Sequence, residues 1–387
     1  MSAQPISHIS KVWSYYTTLN LWFLPLRWSG WRITFGFWVR ATRDKAIITE
    51  PSSASNQLVY KALPDGCIRL LLLQPGRYSD PLIGNLEEST LESSKGTYMA
   101  LSYTWGMPDA SRGMSIDGSS LVITPNLEHA LRHLRSAETA QRLWVDFICI
   151  NQSDYQERST QVSLMTKIYS WGKLVPCWLG DSTPDSTIGM EILSYLAGDL
   201  PFDEGSPWNR HSMQKTTEGL RDVLGRSYFS RIWVVQEAAL ASCVKVQVGD
   251  LFITWEREKS ARLFLARIKL LEVSPSWRST GGSKVDMRPI RELLEQSILQ
   301  IDRQVGRVQN ATLLDAVYSM RFREFTNPMD SIYGIMGLVS PAEVAGLVPD
   351  YSQSWEETYN QFYEHALRNV LKNPEEKWEV KSDSLTA

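Results

Sequence analysis

Leu143–Gly180 reads LWVDFICINQSDYQERSTQVSLMTKIYSWGKLVPCWLG, and its alternation of element types decides the fold. Leu143–Ile150 is an apolar run flanked by polar residues, the pattern of a strand buried on both faces. Asp154 can cap the helix that follows, in which Gln161, Met165 and Ile168, or Val162, Met165 and Tyr169, recur at helical spacing. Val175–Leu179 is a second buried strand, ended by Gly180 and Asp181. Two strands joined by a helix of this length imply a parallel crossover.

Working outward, Cys67–Gln74 is a strand closed by Pro75 and Gly76, and Asp80–Gly96 reads as polar loop. Met99–Tyr103 is another strand. Ile116–Ile123 turns at Asp117 and Gly118 with hairpin chemistry, and Thr124 and Pro125 then open a helix over Asn126–Arg135. From about residue 260 helical patterns dominate, clearest at Arg288–Ile301, Ala311–Met320 and Trp355–Leu371. The expected fold is α/β, a doubly wound, mostly parallel sheet with a C-terminal helical extension. Its expected parts are a Trp/Arg-rich segment at 1–54, the sheet domain at 55–260, and the extension at 261–387 packed on that domain. Within the extension, Asn327–Leu338 carries Ile332, Tyr333, Ile335 and Leu338 around Asp330 and is expected to dock on the sheet.

The chain has 387 residues, 43% of them hydrophobic, and a net charge of −3, so nothing in it calls for a nucleic-acid partner. Cys67, Cys149, Cys177 and Cys243 lack C-x-x-C spacing, which favours a reducing compartment and opposes a disulfide scaffold or a zinc site. His129 and His133 stand one helical turn apart without an H-E-x-x-H signature, as a helix-surface pair does. The expectation is a cytoplasmic protein with no metal and no resident cofactor.

Residues 1–43 contain no Asp or Glu, carry Lys11, Arg27, Arg32, Arg40 and Arg43, and hold Trp13, Trp22, Trp28, Trp31 and Trp38. Leu19–Val39 has the length of a membrane span, but Pro25, Arg27, Gly30 and Arg32 interrupt it. Trp with Arg suits a headgroup region, so peripheral membrane contact through residues 1–43 is one expectation. Packing of these tryptophans on the protein itself is the other.

Arg226–Ala241 reads RSYFSRIWVVQEAALA and sets Glu237 among Trp233, Val234, Val235, Ala238, Ala239 and Leu240. A carboxylate in such surroundings is paired or functional. Pairing with Arg231 or Arg226 is one reading, and catalysis is the other. In open α/β sheets ligands bind at the carboxyl ends of strands, which here carry Ser102, Tyr103, Trp105 and Gly106, then Asp146, Asn151 and Gln152. Asp146, Asn151 and Gln152 have structural alternatives as acceptors and donors for loop backbone, Trp105 as a seal on the sheet edge, and Glu157 as a charge on a helix dipole. No P-loop, G-x-G-x-x-G, G-x-S-x-G or metal-ligand cluster occurs, which leaves carboxylate chemistry among aromatic neighbours.

Three blocks, YMALSYTWG at Tyr98–Gly106, the opening stretch, and RSYFSRIWVVQEAALA, together resemble the fungal heterokaryon incompatibility (HET) domain over residues 58 to 255. Tyr60–Gly76, Asn327–Leu338 and Pro349–Ser352 are similar to its flanking pieces. That family in turn resembles the Toll/interleukin-1 receptor (TIR) domain: Leu101, Ser102 and Tyr103 match a first strand ending in S-Y, and Trp233 to Glu237 resembles the W-C-x-x-E helix, without its Cys. The second resemblance implies a TIR-like sheet and a NAD glycohydrolase in which Glu237 is catalytic and Ser102, Tyr103, Trp105, Gly106, Asp146, Asn151 and Trp233 bind substrate. NAD would then be substrate rather than cofactor. The first implies a cell-death effector of non-self recognition, part of fungal innate immunity, acting through self-association or another incompatibility protein. A non-catalytic death-signalling module is the alternative.

Overall fold

The computed structural model describes residues 58–372, except 108, 110, 111, 203, 204, 280 and 310, together with Arg27–Trp28 and Trp31–Arg32. The chain divides into two compact units, Met1–Arg43 and Asp44–Ala387. In the first, Arg27 pairs with Arg32 and Trp28 with Trp31 as antiparallel strand pieces. Beyond those four, residues 1–43 and the membrane contact expected of them lie outside the described residues. Among the described residues no helix is long and apolar enough to cross a membrane.

The second unit is built on strands β1 (Cys67–Leu73), β2 (Ile83–Thr90), β3 (Met99–Ala100), β4 (Ser102–Tyr103), β5 (Gly113–Ile116), β6 (Ser119–Val122), β7 (Gln141–Trp144), β8 (Val175–Trp178), β9 (Cys243–Val248) and β10 (Leu251–Glu256). One sheet runs β10-β9-β8-β4, the other β3-β7-β1-β2-β5-β6. They meet in the Met99–Tyr103 run. β3 pairs parallel with β7 and β4 parallel with β8, while Leu101 N donates to Trp144 O at 2.9 Å and Ala100 N to Leu174 O at 3.0 Å across the break. The heart of the fold is therefore parallel, β9-β8-β3/β4-β7, and it is apolar enough for burial on both faces: all four residues of β8 are buried.

The outer strands correct the expectation of a mostly parallel sheet. β10 lies antiparallel on β9, β1 antiparallel on β7, and β2 antiparallel on β1, so the architecture is α/β with a mixed sheet. Asp80–Gly96 is not a loop, because Ile83–Thr90 pairs with β1 from Gly84 opposite Leu73 to Thr90 opposite Cys67. One face holds exposed Asn85 and half-buried Glu87, and Glu88 on the other is exposed, which disguised a half-solvated strand as polar coil. Likewise Leu143–Ile150 is not one strand: it ends at Trp144, and Asp146–Cys149 forms a single helical turn with Ile150 N donating to Asp146 O.

Local signals act as the sequence reads. Thr124 Oγ1 accepts from Leu127 N at the start of α1 (Pro125–Leu134), with Pro125 in the first turn. Asp154 accepts from Gln156 N and Glu157 N and starts α2 (Tyr155–Trp171). Asp117 (φ 52°) and Gly118 (φ 78°) form the two-residue turn between β5 and β6, where left-handed backbone suits Asp and Gly.

Helices α3 (Pro184–Ala197), α4 (Met213–Leu224), α5 (Trp233–Ala239), α6 (Arg257–Val273), α7 (Arg288–Gln304), α8 (Leu313–Met320) and α9 (Trp355–Lys372) complete the described unit with several shorter turns. The segment Asn327–Leu338 is core-facing, with Asp330, Ile332, Tyr333, Ile335 and Leu338 buried. It seats on α5 rather than on the sheet: Gly337 N donates to Gln236 Oε1 at 3.0 Å. Just before α5, Glu324 N donates to Ser230 O at 2.7 Å and Ile232 N to Glu324 O at 3.0 Å.

Candidate functional site

Helix α5 follows the tight turn Ser227–Ser230 and buries Val234, Val235, Ala238 and Ala239 against the parallel heart of the fold. Apolar residues on so much of its surface leave Glu237 no route to water, and the side chain is 5% exposed. Opposite it lies β4, where Ser102 registers with Cys177 of β8. Ser102 Oγ donates to Glu237 Oε2 at 2.5 Å and stands 2.8 Å from Tyr228 Oη. Tyr169 Oη, from α2, donates to Leu101 O at 3.2 Å beside them.

Burial pushes the Glu237 carboxyl up to about 8, with the Asp146 charge adding to that rise and the Ser102 hydrogen bond and the Arg231 charge opposing it. At neutral pH the group is therefore mostly protonated. Burial also pushes the hydroxyls of Tyr103, Tyr169 and Tyr228 well above the usual phenol range, and the Cys177 thiol to about 12. The result is a dry, uncharged seam of hydroxyls around one carboxylic acid.

Asp146 is the second acid. It accepts from Trp105 Nε1 at 2.7 Å and from Phe147 N at 2.7 Å, and burial raises its pKa. Trp105 stands edge-on to Phe147 at 5.4 Å, so it closes the strand end as well as serving the acid. Gly106, at φ 72°, makes the left-handed turn that follows. Ser102, Tyr103, Trp105, Asp146 and Glu237 thus form one neighbourhood, with Gly106 at its rim.

Two expected site residues are engaged elsewhere. Asn151 Oδ1 accepts from Ser153 Oγ at 2.7 Å within its own loop, and Asn151 N donates to Glu157 Oε1 at 2.6 Å. Trp233 is half-buried and hydrogen-bonds toward Asp330 of the extension. Gln152 Nε2 donates to Asp146 O at 2.8 Å, a loop-bracing role.

The pairing readings are also decided. Arg226 binds Asp222 Oδ1 at 2.9 Å and the carbonyls of Leu179 and Asp181, so it is not the partner of Glu237. Arg231 acts on Glu237 through charge, without an ion pair. Glu157, whose structural alternative was a charge on the helix dipole, forms a bidentate pair with Arg69, at 2.6 Å and 2.9 Å. Arg69 is 2% exposed, also donates to Cys149 O and Lys61 O, and lies over the Tyr60 ring at 4.9 Å. A lone Arg in the run CIRLLLL was the sequence signal for that pair. Tyr228 and Tyr169, flanked by apolar residues, gave weaker signals for the hydroxyl seam.

The four cysteines are free, and among the described residues no group of three or more His, Cys, Asp and Glu is placed to hold a metal. His129 Nδ1 and Asp181 Oδ2 are 2.5 Å apart, and His133 Nε2 and Asp250 Oδ1 3.6 Å apart, which ties α1 to the turns after β8 and β9. A cavity of about 290 Å³ lined by Val162, Thr166, Gln236, Tyr333, Gly337 and Leu347 reaches the residue before Glu237 but not its carboxyl.

Residues 98–237 match the family model described as Heterokaryon incompatibility protein (HET), so the match begins on Tyr98 and ends on Glu237. The chain is similar to Heterokaryon incompatibility protein 6, OR allele, of Neurospora crassa, at 25% identity over 388 residues. The similarity covers 86% of this chain and 56% of that protein, so the chain spans little more than half its relative's length. No solved structure matches.

Proposed function

From the premise that this is a fungal protein carrying a HET domain over residues 98–237, we propose that it acts in heterokaryon incompatibility, as an effector that kills cells after contact with non-self. Its chemistry in this reading is TIR-like: cleavage of the nicotinamide–ribose bond of NAD at Glu237. The observation that carries it is a carboxyl held at about 8 by burial, at the meeting point of a strand end, a helix and a set of hydroxyls. Such perturbed acids concentrate at functional sites.

A protonated, enclosed acid is silent, which suits a toxic activity kept off at rest. Self-association, or contact with a second incompatibility protein, opens the seam between β4 and α5. Water then enters, the carboxyl pKa falls, and the carboxylate forms. It faces the ribose, stabilises positive charge developing at the anomeric carbon, and takes a proton from the attacking water. Nicotinamide leaves as a neutral molecule because it begins with a positive charge, so no protein acid is required for it. Ser102, Tyr103, Trp105 and Asp146 line the opened site, in the cytoplasm where NAD is at hand, with residues 1–43 as a peripheral membrane contact.

The 5% exposure of Glu237 favours a second reading, a death-signalling module without catalysis, in which the same seam is structural. Glu237→Gln separates the two, since the amide keeps the shape and removes the charge. Expressed at equal level, the wild type should deplete cellular NAD and kill, and Glu237→Gln should do neither. Killing without NAD loss by both proteins would establish the signalling module.

A further inference from the structure

Three carboxyls surround the start of α5, and each is satisfied without a cation. Asp146 accepts from Trp105 Nε1 and Phe147 N, Glu237 from Ser102 Oγ, and Asp330 from Tyr351 Oη at 2.8 Å. Arg231 lies between them, near enough that its charge lowers the pKa of all three. Yet among the described residues no ion pair or hydrogen bond closes on its guanidinium, which is half-buried. Its main chain is held firmly, flanked by the Ser230 and Ile232 hydrogen bonds to Glu324. The cation is thus fixed in place and uncommitted.

A second donor lies beside it. Tyr103 is 5% exposed, and its Oη makes no well-formed hydrogen bond among the described residues, with the Asp146 carboxyl as its near acceptor. It stands close to both Asp146 and Arg231. A buried hydroxyl without a well-formed bond is unfavourable, and an incoming oxygen would relieve it.

We propose that Arg231 and Tyr103 Oη form a receiving site for a phosphate group. A guanidinium presents two parallel N–H donors and the phenol adds a third, which suits a tetrahedral oxyanion with three free oxygens better than a planar carboxylate with two. The inference rests on the reading of Glu237 as a substrate-facing acid, because a dinucleotide brings a pyrophosphate with its ribose. The backbone tie to Glu324 makes the helical extension part of this site.

Calorimetric titration of the full chain with inorganic pyrophosphate tests it. The wild type should bind saturably, more weakly as salt rises. Arg231→Gln should bind more weakly by roughly tenfold or more, Arg231→Lys should fall between, and Tyr103→Phe should lose a smaller factor. Tyr103→Phe removes a hydroxyl that makes no well-formed hydrogen bond and leaves Asp146 its bonds from Trp105 and Phe147, so its fold is preserved and the comparison stays valid even where Arg231→Gln is unstable. Acetate should not displace pyrophosphate. Equal affinity in the wild type and Tyr103→Phe, or no saturable binding by the wild type, would overturn the proposal. Pyrophosphate binding without NAD consumption would retire the cleavage reading and leave the phosphate site standing.

Discussion

Two buried glutamates, Glu157 on α2 and Glu237 on α5, stand in the same unit with opposite solutions to one problem. Glu157 is 8% exposed and meets Arg69 in a bidentate pair, with Asn151 N as a further donor. Glu237 is 5% exposed and meets hydroxyls, with no cation in contact. The first keeps its charge and spends it on structure, binding β1 to the loop before α2. The second gives up its charge, and a group that must give up charge to stay buried can be switched by water. Burial alone does not separate the two glutamates; the presence or absence of a partner cation does.

Breaking the paired glutamate should have the largest effect. Arg69→Met leaves Glu157 buried beside a lost partner, and removing one member of a buried pair costs about 3–5 kcal/mol. Urea unfolding of the variant checks it. A loss of only about 0.3–1 kcal/mol would return Glu157 to the helix-dipole role read from the sequence.

The unpaired glutamate should respond in the opposite direction. Its folded pKa is about 8 against an ordinary 4.5. A raised pKa means that its contribution to stability is full below about 4.5 and is lost as pH rises toward 8. By pH 7, about 2.5 units above the ordinary value, the loss amounts to roughly 3 kcal/mol, on the scale of 1.36 kcal/mol per pKa unit. Glu237→Gln should therefore be more stable than the wild type at pH 7 to 8, and its stability should fall less between pH 4.5 and 8. Asp146 and Asp330, also raised by burial, leave part of that slope in place. A Glu237→Gln protein less stable than the wild type at pH 8 would mean that the carboxylate is charged and held.

The smallest effect belongs to the cap next to the paired glutamate. Asp154→Ala removes the acceptor for Gln156 N and Glu157 N and should cost about 1 kcal/mol. Thermal unfolding at pH 7 measures it, and a cost near that of Arg69→Met would show the cap and the ion pair acting as one unit.

How much of this was legible follows from the separation of the partners. Thr124, Asp154 and the Asp117-Gly118 turn act on residues within three positions of themselves, so the sequence carries cause and effect together. The parallel heart was legible because strands buried on both faces have few polar residues. β2 was not, since its outward face is a solvated surface. Glu237 stood out as the one acid in an apolar run, but its partners did not: Ser102 is 135 residues away, and Tyr228 reaches Ser102 from 126 away. Arg69 and Glu157 are separated by 88. Topology brings such pairs together, and pattern in one segment carries no record of it. Asn151 was read as a strand-end residue and Trp233 through the TIR resemblance, and neither reading carries the contacts their side chains make, within the 151–153 loop and toward Asp330.

The central claim is that Glu237 rests protonated and becomes charged only when its seam opens. Carbon-13 NMR of the full chain labelled at glutamate carboxyls, with Glu237→Gln to assign the resonance, titrates the group directly. The account predicts a midpoint near 8 for the Glu237 carboxyl. A midpoint near the ordinary glutamate value of 4.5 would contradict it, because the resting acid would then already carry the charge that opening is held to create.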